Sequence, residues 1–369
     1  MKMTVSKPVP VGYGPTWGEV GWGPWQFPSM RQDGKRVFAG VHVGQDSEDD
    51  YGKDYQWFYS DDDGKSWTAA TMEEADRGFV VAENGDRIFH SSRPPVEVDP
   101  KIFEGKEIVG KLEGYYDFYR FDDFPEGTFN KTFIMTRIRK GETKRETYEA
   151  PIKNFDNLLI RRMVGTNKVL LPFMFGRMRK APDGSLWHTH YDRGITPGTN
   201  NFYDCFFGYF FRSTDNGQSW ELVSVQDPQK TEGAVLYCEQ DICWLPTGRA
   251  VTVSRSEGLH CAVSDDGGYT WNPSVQLDTI GVDPPICCLK CGAILTSYGR
   301  PGFFVRCCLD GKGEKWEEPV KINQETCSYS DIVAISDNEA LVAFTEFHYT
   351  DENVENRKTL MVVKVTFEE

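Results

Sequence analysis

Apolar positions along the chain fall in short runs, and few stretches show the 3.6-residue spacing of an amphipathic helix. Val251-Thr252-Val253-Ser254 and Ile294-Leu295-Thr296-Ser297-Tyr298-Gly299 are typical. Aromatic and β-branched residues fill such runs, which end at Gly, Asp or Asn. Those residue types suit a pleated, half-buried surface, and the terminators suit tight turns. The pattern predicts an all-β protein. No run approaches the ~20 apolar residues that a membrane span requires. The opening Met1–Pro10 lacks the apolar stretch of a secretory signal.

The strand pattern carries a repeat. Ser60-Asp61-Asp62-Asp63-Gly64-Lys65-Ser66-Trp67 fits Ser-x-Asp-x-Gly-x-x-Trp. Ser213 to Trp220 and Ser264 to Trp271 fit it as well, and Cys308-Leu309-Asp310 through Gly313 to Trp316 is a degraded fourth copy with one extra residue. Each copy reads as a hairpin turn. The Asp accepts backbone N–H groups, the Gly takes a positive φ, and the Trp is buried under the next strand.

These motifs resemble the Asp-boxes of the sialidase superfamily, and the whole chain resembles a six-bladed β-propeller of sialidase type. The second, third and fourth copies lie 51 and 44 residues apart, about one four-stranded blade each. The 153 residues from the first copy to the second leave room for two blades without an intact box. On this reading residues 1–369 form a single propeller domain. Its blades fall near 25–67, 78–135, 157–220, 235–271, 284–316 and 328–367, with an insertion in the second blade near 94–151.

The resemblance also implies a site, because a propeller gathers the inner strands of its blades around one axis. Tyr237-Cys238-Glu239-Gln240-Asp241, returning through Val251 to Arg255, matches the strand pair that supplies a buried glutamate and the second arginine of a carboxylate-binding triad. Glu239 and Arg255 are the matching residues. Cys327-Ser328-Tyr329-Ser330-Asp331 matches the strand bearing the tyrosine nucleophile, and Tyr329 is the matching position. A neutral phenol deprotonated by a neighbouring Glu avoids the repulsion that an anionic nucleophile would meet at an anomeric carbon bearing a carboxylate. Arg300 matches the third triad arginine, with Arg306 a weaker candidate. Where sialidases carry Arg-Ile-Pro, this chain has Gln26-Phe27-Pro28, so Gln26 replaces the first arginine and brings no charge. Arg31 lies too deep in the strand to substitute. The acid/base aspartate falls in the loop Gln45-Asp46-Ser47-Glu48-Asp49-Asp50. Asp50 is the first choice by distance to the box, with Asp46, Asp49 and Asp54 as alternatives.

Histidines open a second reading. His42 and His90 close second strands, His188 and His190 sit in a loop of the third blade, and His348 lies just past the second strand of the sixth. Arranged around one mouth, with His42, His90 and His190 as substrate-binding groups, they would suit a uronate-directed polysaccharide lyase or a rhamnosidase. A third reading is a non-catalytic propeller that binds glycan or protein, since the boxes are peripheral turn devices.

Composition narrows the partners. With 41 basic against 56 acidic residues the net charge is −15, which argues against a nucleic-acid backbone or an anionic membrane as partner; a carbohydrate partner is what the resemblance implies. The ten cysteines lie between Cys205 and Cys327, a poor match to a disulfide scaffold. Cys288-x-x-Cys291, flanked by Cys287, Cys307 and Cys308, lacks the spacing of a zinc ribbon, so no metal is expected. No glycine-rich phosphate loop or dinucleotide fingerprint is present, so no cofactor is expected either. Reduced thiols and the missing signal together point to the cytoplasm.

Overall fold

The repeat turns set the fold, and each is built as its residues dictate. In the first, Ser60 Oγ donates to Asp62 and accepts from Gly64 N–H (2.9 Å), while Asp62 accepts from the N–H groups of Lys65 and Ser66 (3.1 and 2.9 Å) and from the Ser66 hydroxyl (2.6 Å). Asp215 and Asp266 repeat this with Ser213 and Ser219, and with Ser264 and Thr270. In the fourth, Cys308 replaces serine and its Sγ donates to Asp310 (2.9 Å), which also accepts from the N–H groups of Lys312, Gly313, Glu314 and Lys315. Gly64, Gly217 and Gly313 take φ of 83°, 79° and 79°, a region that side chains avoid. Trp220 is fully buried, whereas Trp67, Trp271 and Trp316 are half-buried. Trp67 and Trp316 donate their indole N–H to Gly64 O and Gly313 O.

The structure, a computed structural model, describes residues 1–47, 55–71, 79–91, 93–156, 158–171, 176–196, 199–230, 235–323 and 327–368. It is all-β, built from five four-stranded antiparallel meanders, a sixth blade of five strands and one further sheet, in two compact units, residues 1–79 with 239–369 and residues 80–238. Among the described residues, no helix is long and apolar enough to cross a membrane.

The first unit holds the blade Gln26–Asp33, Arg36–His42, Tyr55–Ser60 and Thr68–Ala70. It also holds Cys238–Trp244, Ala250–Arg255, Leu259–Ser264 and Val275–Asp278, followed by Ile286–Cys288, Ile294–Gly299, Phe303–Cys308 and Val320–Asn323. Its last blade, Cys327–Ala334, Glu339–Tyr349 and Arg357–Glu368, is completed from the other end of the chain by Lys2–Val5 and Val9–Thr16, with Lys2 opposite Glu368 and Val9 opposite Val362. Two aspartates tie inner strands to their neighbours. Asp331 accepts from Met30 N–H (2.8 Å) and Asp241 from Ile286 N–H (2.9 Å). Buried aliphatic and aromatic side chains, among them Val37, Val253, Phe303 and Phe344, fill the spaces between sheets.

In the second unit, Val80–Val81, Arg87–His90, Thr132–Ile138 and Arg145–Lys153 form one meander, and Met178–Lys180, Leu186–Ile195, Phe202–Ser213 and Trp220–Gln226 another. Parallel pairing of Ile152 with Trp220 and Lys153 with Glu221 joins them into an eight-stranded sheet. A separate five-stranded sheet combines Val96–Glu97, Gly110–Leu112 and Tyr116–Arg120 with Leu159–Met163 and Lys168–Leu170.

Blade boundaries differ from the sequence reading for one reason. The turn joins the third strand to the fourth, so each blade runs past its tryptophan, to Ala70, Gln226, Asp278 and Asn323. The extra sheet shifts the rest. Thr132–Ile138 and most of Arg145–Lys153, within the expected insertion near 94–151, are blade strands, and Leu159–Met163 and Lys168–Leu170, expected in the third blade, belong to the extra sheet.

The turn carboxylates make stability pH-dependent. Hydrogen bonds, led by that of the Ser66 hydroxyl, hold Asp62 at about 2. For Asp266 and Asp310 burial pushes upward, but the hydrogen bonds outweigh it and leave both at about 2. A carboxyl depressed on folding contributes stability that is whole above its unfolded value near 3.8 and is lost as pH falls toward 2. Asp310→Asn removes the charge and half of the acceptor set. Urea unfolding at pH 7 should show it less stable than wild type by roughly 1–2 kcal/mol, with the gap closing near pH 2.

Candidate active site

Local backbone irregularity brings the chemical groups of the first unit together. Pairing in the first blade slips between Gln26 and Ser29, and in the last blade between Cys327 and Ser330. Each slip leaves residues out of the ladder at the start of an inner strand, as a β-bulge does. The displaced Phe27 and Tyr329 lie against each other, ring centroids 4.4 Å apart. Among described residues other than glycine, positive φ occurs at several Asp and Asn positions, where it is well tolerated. The others are Trp25, Phe27, Glu239 and Arg300, at 64°, 52°, 52° and 65°. Strain of this kind costs on the order of 1–3 kcal/mol per residue and persists where surrounding structure enforces it. Three of these four residues, Phe27, Glu239 and Arg300, adjoin Tyr329 in one candidate site.

Glu239 is its centre. The carboxylate is 8% exposed, accepts from Asp283 N–H (2.8 Å), and pairs with Arg255 at 3.2 Å. Burial, then the charge of Asp283, raises its pKa, against the pull of Arg255, the Asp283 N–H and Arg300. Tyr329 is pushed far above the ordinary phenol value by burial and then by the charge of Glu239, with Asp283 and Asp46 adding to the rise and Arg300 opposing it. The Arg300 guanidinium lies 5.1 Å from the Tyr329 ring centroid and 4.6 Å from that of Trp22. Its Nε and Nη2 are shielded from water and meet no acceptor among the described residues. Elsewhere, Arg36 uses these same two nitrogens to grip the carboxylate of Asp61 at 2.8 and 2.7 Å, the fork geometry that suits a carboxylate.

Other positions are occupied differently from what the resemblance implies. Gln26 is fully buried, and its amide nitrogen donates to Trp22 O and Gly23 O, so both of its hydrogens serve its own loop. The expected role of Gln26 in substrate binding therefore has no donor left to carry it. Arg306 donates to Glu317 O and Leu277 O, and Arg31 stacks on Trp57 and Phe79. Asp46 accepts from Trp22 Nε1 (3.2 Å). Asp49, Asp50 and Asp54 lie outside the described residues.

The histidines divide. His42, opposite Gln26 in the first blade, bonds through Nε2 with Gln45 O (3.1 Å). His348 is exposed and bonds to Asn356 (2.9 Å). In the second unit His90 Nδ1 meets His188 Nε2 at 3.3 Å. His190 lines a cleft there with Arg161, Asp192 and Arg193 over a floor that includes Phe133 and Phe155. Burial lowers His188 well below its ordinary value and His190 to about 4, so both rings are neutral at pH 7.

Sequence reasoning missed three contributors. Asp283 follows no motif. Trp22 became relevant only through its contacts with Arg300 and Asp46. Lys358 left a weak signal, as a lysine two residues before the apolar run Leu360-Met361-Val362-Val363 in a strand that is continuously buried from Lys358 to Val363.

The sequence matches no family model and no curated protein. Solved structures do match. A protein of unknown function from Dyadobacter fermentans superposes with a TM-score of 0.65 at 15% identity, covering 99% of each chain. A point mutant of NanB sialidase from Streptococcus pneumoniae gives 0.54 at 14% identity, over 96% of this chain and 70% of that one. A Hadza microbial sialidase gives 0.54 at 13%, over 92% and 65%. The fold is the β-propeller of these sialidases. At such identities the likeness extends to fold alone.

Burial of Glu239 has a measurable consequence. A carboxyl raised on folding binds its proton more tightly folded than unfolded, so stability falls as pH climbs above its unfolded value near 4.5. Glu239→Gln can keep the bond from Asp283 N–H and removes that slope. Calorimetry should find it equal to wild type near pH 4 and higher in Tm at pH 7, by roughly 1–3 °C. A variant less stable than wild type at pH 7 would contradict the assignment.

Proposed function

We propose that the chain is a sialidase-like glycoside hydrolase, a retaining exo-glycosidase that removes a terminal acidic sugar from an oligosaccharide or glycoconjugate. The observation that carries this reading is the convergence of Glu239, Arg300 and Tyr329 on strained or bulged backbone, with Glu239 the main charge acting on the phenol. In the proposed reaction Tyr329 Oη bonds to the anomeric carbon as its proton passes to Glu239. The leaving oxygen takes a proton from an aspartate of the acidic loop, Asp50 or an alternative. Water then cleaves the tyrosyl–sugar bond, with Glu239 returning the proton to the phenolate and the aspartate acting as base. A raised Glu239 is the stronger base, and Arg300 over the ring favours developing phenolate charge. Asp46 is the loop aspartate whose charge reaches Tyr329. Arg300 and Arg255 would hold the acidic group of the sugar.

The same reading takes the four turns as Asp-boxes. It places the protein in the cytoplasm, in keeping with free cysteines throughout the described residues. A uronate-directed lyase or rhamnosidase through His42, His90 or His190 is the alternative. Neutral, buried His188 and His190 supply no positive charge for a uronate carboxylate, which favours the glycosidase. Strained backbone around ionisable groups is an unneeded cost for a binding module.

Release of 4-methylumbelliferone from its sialic acid glycoside tests the proposal. Wild type should turn over, and Tyr329→Phe should lose at least ~10³-fold in kcat with the fold retained. A silent wild type would mark Gln26 as the sign of another substrate. A panel of uronate and rhamnose oligosaccharides, read by ultraviolet absorbance of a new double bond, would then separate lyase from hydrolase.

A further inference from the structure

Lys358 is fully buried in the last strand, and no described carboxylate pairs with it. Its ammonium donates to Trp22 O (2.7 Å) and Pro24 O and lies over the rings of Trp17 and Phe347, at 5.1 and 4.8 Å from their centroids. A buried cation without a counter-ion is expensive, and such groups are retained mainly where the charge has a use. Carbonyl oxygens and aromatic faces are what a protein offers a cation that it must keep charged without neutralising it.

Its location gives that use. Trp22 O accepts from both Lys358 Nζ and the Gln26 amide, so the ammonium and Gln26 sit within hydrogen-bonding reach of one oxygen. Gln26 is the position at which the resemblance implies an arginine. The other side of the same residue, the Trp22 ring, faces Arg300, whose Nε and Nη2 lack acceptors among the described residues. The charge absent from the first blade is thus present a few ångströms away, delivered by a strand that neither repeat nor motif connects with the site.

We propose that Lys358 supplies the positive charge that Gln26 does not, acting through the Trp22 loop to set the pocket's preference for an anionic sugar. Lys358 is a positioning and specificity residue; it has no exposed surface with which to touch substrate. The proposal rests on the acidic-sugar reading above. It also predicts that Gln26→Arg can replace the lysine, because either side chain puts a positive charge beside Trp22 O at pH 7.

The test compares N-acetylneuraminic acid with its methyl ester, a ligand of the same shape without the charge, by quenching of indole fluorescence. Wild type should prefer the acid. Lys358→Met should reduce the acid-to-ester affinity ratio at least ~10-fold, Lys358→Arg should hold it, and Lys358→Met combined with Gln26→Arg should restore it. A merely structural anchor would weaken both ligands equally, and an unchanged ratio in Lys358→Met overturns the proposal. So does a wild type that binds neither ligand. If Lys358→Met fails to fold, the decision passes to Gln26→Arg alone, which should raise the ratio above wild type; no rise overturns the idea. Turnover is read separately. Acid binding that depends on Lys358, without turnover that depends on Tyr329, would sink the glycosidase and leave this inference standing.

Discussion

The carboxylate of Glu239 is held away from water, and the rest of the pocket is arranged around that cost. A buried carboxylate must be given donors or take up a proton. Here one main-chain N–H from Asp283 and one guanidinium from Arg255 are provided, and Asp283 brings a second negative charge close by. The balance leaves Glu239 a stronger base than a surface glutamate. It also raises the neighbouring phenol, so Tyr329 stays protonated until bond formation lets its proton leave. Arg300, stacked between Trp22 and Tyr329, is the group positioned to ease that transfer.

Conformational strain is how the fold holds these groups in one place. Regular strands would send alternate side chains to opposite faces, with the ladder fixing which. Bulges at Phe27 and Tyr329 and positive φ at Glu239 break that alternation at the starts of inner strands, and positive φ at Arg300 breaks it just past the end of a second strand. Immediately beyond them order is restored by buried aspartates: Asp241 lies two residues after Glu239 and Asp331 two after Tyr329, each capturing an N–H of the adjoining sheet. Irregular and over-determined positions thus alternate along the same strand.

Much of this was legible in the chain. The repeat predicted the turns down to the aspartate acceptors, because their hydrogen bonds are local and their residue types admit few alternatives. Glu239, Arg255, Arg300 and Tyr329 were named by the resemblance, from their places at the ends of first and second strands. What escaped was set by contacts remote in sequence. Asp283 acts through a backbone N–H, which has no signature. Gln26 could be read as a lost charge, but not as an amide folded back on Trp22 and Gly23. The extra sheet joins residues before and after a blade's outer strands, so no contiguous segment announces it. Lys358 was visible as an oddity in an apolar strand, and only its partners explain it.

The pairing of Lys2–Val5 with the final strand has a consequence for how the chain comes to be folded. Met3 finds its partner in Phe367, so the sheet pairs two segments far apart in sequence. Until the final strand is in place the edge of Glu339–Tyr349 has no neighbour on one side, and Lys358 has no strand from which to reach Trp22. Closing so long a loop is slow compared with local hairpins. Without the Arg357–Glu368 strand, the first unit would display an open sheet edge but not the charge arrangement around Trp22.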